Sequence, residues 1–110
     1  MAEERNSNKK NLNKENVLQL VRDNYLPLTT KYGVARIGFF GSFVKGTMTE
    51  DSDLDIVVEF NRPIGFKFFQ LTQFLEDLFG KKVDVITTDG IENIRVKGVA
   101  QNIKRDIVYV

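Results

Sequence analysis

The sequence predicts a single α/β domain, and three observations carry that prediction. Apolar runs of strand length, ARIGFF (35–40), DLDIVVEF (53–60) and KKVDVITT (81–88), alternate with segments whose apolar residues recur at helical spacing. The chain has 110 residues, 42% of them hydrophobic, which is enough for one core and too short for two. No internal repeat or low-complexity linker divides it.

In chain order, residues 1–12 are polar and charged with nothing to bury, and are expected to form a disordered tail ahead of one domain spanning 13–110. A helix follows. Asn13 is placed to cap it, Glu15 suits its first turn, and Val17, Leu18, Leu20, Val21, Tyr25 and Leu28 recur at helical spacing. Pro27 lacks an amide donor and disfavours helical geometry at Leu26, so a kink or restart is expected there, with the helix ending near Tyr32-Gly33. The strand at 35–40 runs into Gly41-Ser42 and a short helical turn, FVKG, then the strand at 53–60 ends at NRPIG, where Pro63 and Gly65 break the pattern. FKFFQLTQFLEDLF (66–79) is the next helix, stopped by Gly80, and 81–88 is the third strand. The remainder reads as a helix weakened by Gly98 that runs into a closing strand near 107–110.

Composition excludes much chemistry. Sixteen Lys plus Arg against fifteen Asp plus Glu leave a formal charge of +1, so no overall field marks a nucleic-acid or membrane binder, and any phosphate binding must be local. There is no Cys and no His, which removes disulfides, thiolate nucleophiles, Ser-His-Asp triads and imidazole or thiolate metal sites. A metal would have to be held by carboxylate oxygen, favouring Mg²⁺ or Mn²⁺. Neither an apolar leader nor a membrane-spanning run is seen, so a cytoplasmic protein is expected.

The stretch GSFVKGTMTEDSDLD (41–55) carries the chemistry. Residues two apart in a strand point the same way, about 6.6 Å between Cα atoms, so Asp53 and Asp55 share a face while Leu54, Ile56 and Val58 share the other. Two neighbouring carboxylates repel unless a cation relieves them. Gly41-Ser42 directly after a strand would present backbone amides and the Ser42 hydroxyl to an anion, with Lys45 placed to add a charge to the same oxygens. Asp84 is a third acid, set between Val83 and Val85 in an apolar strand. Each piece has a plainer account: Asp51-Ser52-Asp53 and Gly41-Ser42 as turns, and Asp84 as a solvated acid on an edge strand. Their combination is far more specific than any one of them.

Strand, Gly-Ser, ten residues, Asp-Leu-Asp on a second strand, helix, and Asp on a third strand resembles the minimal nucleotidyltransferases of the DNA polymerase beta superfamily, over roughly 33–110. Gly41, Ser42, Asp53, Asp55 and Asp84 match that motif in turn, whereas many relatives have Arg shortly after Gly-Ser and this chain has Phe43-Val44-Lys45. The resemblance implies an α/β (α+β) fold with a small mixed sheet backed by helices. It implies Asp53, Asp55 and Asp84 as catalytic and metal-binding residues for two Mg²⁺ ions, with Gly41, Ser42, Lys45 and Ser52 on the nucleotide phosphates and ATP as substrate. It further implies transfer of AMP to a hydroxyl of a protein partner, a tyrosine of a HEPN-type toxin, so that the chain acts as antitoxin with no membrane or direct nucleic-acid binding. Two alternatives stay open: an antitoxin that neutralises by occlusion alone, and nucleotidyl transfer to a small molecule such as an antibiotic.

Outside the site, Phe68, Leu71, Phe74, Leu75, Leu78 and Phe79 form one stripe on the 66–79 helix, leaving Phe66 and Phe69 on its polar side as a candidate contact patch.

Overall fold

In the computed structural model, which describes residues 12–94 and 97–110, Asn13 caps the first helix. Its side chain accepts the Asn16 N–H at 2.8 Å, and α1 runs Lys14–Asp23. Residues 1–11 of the expected tail lie outside the described residues, while Leu12, assigned to the same tail, packs against the core. The interruption expected at Pro27 falls earlier, at Asn24, whose side chain turns back to the Leu20 carbonyl at 2.8 Å. Pro27 then sits in the first turn of α2 (Tyr25–Thr30), where an amide has no helical partner to lose.

β1 (Val34–Phe40) leads through Gly41 into the four-residue α3 (Ser42–Lys45), and a loop returns the chain to β2 (Leu54–Phe60). α4 (Lys67–Phe79) ends on Gly80, whose φ of 64° closes the helix in the left-handed conformation. β3 (Val83–Thr87) follows. The single C-terminal helix expected from sequence is instead two, α5 (Thr88–Glu92) and α6 (Lys97–Asp106), before β4 (Val108–Tyr109). The Thr87 hydroxyl accepts the Gly90 N–H at 2.9 Å and starts α5 directly at the strand end, one turn sooner than the periodicity suggested.

The four strands form a mixed sheet in the order β3-β2-β1-β4, with β1 antiparallel to β2 and β4, and β2 parallel to β3. One face carries Leu54, Ile56 and Val58, all fully buried against Val17, Val21 and Leu28 of α1 and α2 and Leu71, Leu75 and Phe79 of α4. Each such side chain contributes about 1.5–3 kcal/mol by leaving water, which makes this layer the main reason the sheet holds. On the opposite face Val57 is also buried, under Ile91 of α5 and Ala100 of α6. That second layer stops short of the strand's first turn, where Asp55 shares Val57's side of the sheet.

Candidate active site

Asp55 stands where three structural facts meet. It is opposite Phe40 across the antiparallel β1–β2 ladder, opposite Asp84 across the parallel β2–β3 ladder, and two residues beyond Asp53. Asp53 lies one residue outside β2 rather than within it, because the ladder begins where the Leu54 N–H reaches the Lys82 carbonyl at 3.0 Å. Asp53 and Asp84 are exposed and Asp55 is half-buried. β3 is an edge strand, so the apolar run around Asp84 covers one face only and the acid is solvated, as the plainer account of that residue held; its register still sets it against Asp55.

None of the three carboxylates makes a hydrogen bond or ion pair with a described residue. Burial pushes the Asp55 carboxyl above its ordinary pKa, and the charges of Asp84 and Asp53 push it further the same way. As the side chains stand, no group of three acids among the described residues is gathered closely enough to enclose a metal ion. The donors nevertheless fit a divalent cation of the Mg²⁺ type. They are hard oxygens, their mutual repulsion is what such a charge relieves, and the exposed Asp53 and Asp84 are free to rotate toward Asp55.

Gly41 is tied to this centre by shape. Its φ of 72° and ψ of −147° lie in a region that essentially only glycine adopts. A Cβ there would overlap Asp55 Oδ2 and stand 3.0 Å from its Cγ. The turn therefore favours glycine through its backbone, and any larger residue would also push the Asp55 carboxylate aside. Ser42 begins α3, half-buried, and its hydroxyl has no hydrogen bond to a described residue.

Two other sequence candidates point elsewhere in this structure. The Ser52 hydroxyl accepts the Thr49 N–H at 3.1 Å while the Ser52 N–H reaches the Thr49 carbonyl at 3.1 Å, so Ser52 shapes the turn ahead of Asp53. Lys45 is exposed, with Nζ 4.0 Å from Asp106 Oδ2 at the end of α6. Lys81, which the sequence did not single out, donates from Nζ to the carbonyls of Glu50 at 2.8 Å and Thr49 at 3.3 Å. A groove of about 980 Å³ opens next to Asp53 and is lined also by Ser52, Phe43, Met48, Lys81 and Lys82, but by neither Asp55 nor Asp84.

The fold thus sets Gly41 against Asp55 and Asp55 in register with Asp84, and the family model of the nucleotidyltransferase domain matches residues 8–110. The chain belongs to the nucleotidyltransferase domain family. This nucleotidyltransferase is 40% identical over 84 residues to protein adenylyltransferase MntA of Thermococcus cleftensis, spanning 76% of this chain and 81% of that one. It is 39% identical over 97 residues to a Methanocaldococcus jannaschii protein provisionally named a protein adenylyltransferase, spanning 86% of this chain and 94% of the relative. A solved structure provisionally described as a minimal nucleotidyltransferase superimposes at a TM-score of 0.68 and 28% identity, covering 90% of this chain and 97% of the other. A toxin–antitoxin crystal structure with AMP-PNP shares the fold at a TM-score of 0.59 and 24% identity, over 89% of this chain and 72% of that one. The nucleotidyltransferase has no helix, among the described residues, long and apolar enough to cross a membrane.

Proposed function

We propose that this nucleotidyltransferase transfers AMP from ATP to a hydroxyl of a protein partner, a tyrosine of a HEPN-type toxin, and acts in the cytoplasm as its antitoxin. The observation that carries the reading is a set of three carboxylates without cation partners at the start of β2, Asp55 in register with Asp84 and Asp53 two residues before it, with the backbone of Gly41 against Asp55. Support for the acceptor class comes from relatives named protein adenylyltransferases and from a fold neighbour solved as a toxin–antitoxin complex with AMP-PNP.

Asp53, Asp55 and Asp84 are the residues that would hold two Mg²⁺ ions, or Mn²⁺ in their place. When bound, the metal supplies positive charge to the triphosphate oxygens and makes the acceptor hydroxyl more acidic. The chain's own residues do the rest. The amides of Gly41 and Ser42 and the Ser42 hydroxyl donate to the outer phosphates, and Lys45, exposed one turn further along α3, adds its ammonium only by swinging away from Asp106. Ser52 acts through the turn it closes. Asp84 takes the acceptor's proton on a carboxylate oxygen. The acceptor oxygen bonds to the α-phosphorus in line as the bond from that phosphorus to the bridging oxygen breaks, and pyrophosphate leaves.

Incubating the purified protein with α-labelled ATP, Mg²⁺ and a purified HEPN-type toxin should place label on the toxin, and a Tyr→Phe change at the labelled position should remove it. A stable complex that forms without label would favour neutralisation by occlusion. Label appearing on an aminoglycoside and never on protein would favour small-molecule transfer.

A further inference from the structure

Asp53 differs from Asp55 and Asp84 in having no strand to hold it. It sits at the end of the loop from α3, with an exposed side chain that touches no cation among the described residues. What fixes it is the backbone on either side. Upstream, the Thr49–Ser52 turn is closed by its own hydrogen bonds, and Lys81 Nζ then grips the Glu50 carbonyl at 2.8 Å and the Thr49 carbonyl at 3.3 Å. Downstream, the Leu54 N–H is held by the Lys82 carbonyl at 3.0 Å. The loop end bearing Asp53 is thus attached on both sides to one dipeptide, 81–82.

That dipeptide is itself placed by the end of α4. Gly80 in the left-handed conformation turns the chain, with the Gly80 and Lys81 N–H groups both reaching the Glu76 carbonyl, at 2.8 and 3.3 Å. Beyond it, the Glu76 carboxylate accepts the Val83 N–H at 3.4 Å. The Lys81 ammonium makes both bonds at the surface, and as charge-assisted pairs to two successive carbonyls they hold the loop more firmly than neutral ones would. No other side chain among the described residues hydrogen-bonds to the Thr49 or Glu50 carbonyl.

We propose that Lys81 is a positioning residue of the nucleotidyltransferase site, holding the 49–53 loop so that the Asp53 carboxylate stands beside Asp55. The proposal rests on Asp53 being a metal ligand, as assigned above. Lys81 touches neither Asp53 nor Asp55 with its side chain; its effect passes through the loop backbone.

The test compares Lys81→Met, which keeps the stem and removes the ammonium, with Lys81→Arg, which restores donors, each alone and with Asp53→Asn. Mn²⁺ affinity is measured by calorimetry, and amide exchange of 47–54 by mass spectrometry. Lys81→Met should speed exchange in 49–53 and weaken Mn²⁺ binding about tenfold or more, the size of effect usual for groups that orient a metal ligand. Lys81→Arg should recover most of both. In the Asp53→Asn background Lys81→Met should cause no further loss of Mn²⁺ affinity. Unchanged exchange or Mn²⁺ affinity in Lys81→Met, or an equal loss in both backgrounds, overturns the proposal while leaving the carboxylate assignment intact. Asp53→Asn binding Mn²⁺ as tightly as the parent would overturn that assignment, and the proposal with it.

Discussion

Asp55 on β2 and Asp84 on β3 are direct partners in a parallel register, and neither carboxylate has a cation among the described residues. Neighbouring acids left in this state work against folding, so their cost is measurable and its relief is a signature of the site.

Asp55→Asn should abolish nucleotidyl transfer, by well over about a hundredfold, since even groups outside the metal's own ligand set cost 10–100-fold. Stability should hold or rise at pH 7. The sign follows from the direction of the shift: a carboxyl whose pKa is raised in the fold favours folding when protonated, and that contribution is lost as pH climbs from the ordinary carboxyl value, 3.8, through the raised one. The advantage of Asn should therefore appear above that window and vanish below it. Urea midpoints of both proteins at pH 7 and pH 3 would show it, and a variant less stable at pH 7 would contradict it.

Gly41→Ala should both destabilise the protein and disturb its chemistry. The backbone conformation alone costs about 1–3 kcal/mol for a non-glycine residue. The added methyl must also displace the Asp55 carboxylate, which it would overlap. Denaturation should show the first effect. Transfer assays under conditions where the variant is fully folded should show the second, as a fall in rate that stabilising osmolyte does not restore.

Ser42→Ala should leave the melting temperature nearly unchanged, because the hydroxyl has no hydrogen bond to a described residue to lose. Its binding of Mg²⁺-ATP should weaken by about 1 kcal/mol, roughly fivefold, if the hydroxyl donates to a phosphate. Calorimetric titration would decide it; equal affinity in variant and parent would leave Ser42 as turn geometry only.

Leu75 and Phe69 lie on the same helix and should behave oppositely. Leu75 is fully buried, so Leu75→Ala should cost about 2–5 kcal/mol. Phe69 is 70% exposed, so Phe69→Ser should stay within about 0.5 kcal/mol of the parent. Chemical denaturation of both variants checks the pair.

Much of this protein was legible in its sequence because the signals are local. The period of two in LDIVVEF separates Asp55 from Leu54, Ile56 and Val58 whatever else the chain does, and the stripe on α4 buried Leu71, Leu75 and Phe79 as its 3.6 period required. Asn13 and Gly80 ended their helices through side-chain and backbone chemistry that needs no distant partner. Tertiary structure decided what depends on residues far apart in the chain. Val57 is buried on the face of the acids because α5 and α6 fold over it, and Asp84 is solvated because β3 takes the sheet edge. Any residue larger than Gly41 would push the Asp55 carboxylate aside, and Lys81 reaches a loop some thirty residues earlier. Periodicity reports which way a side chain points relative to its neighbours along the chain. Only strand order, register and the packing of helices determine what it then meets.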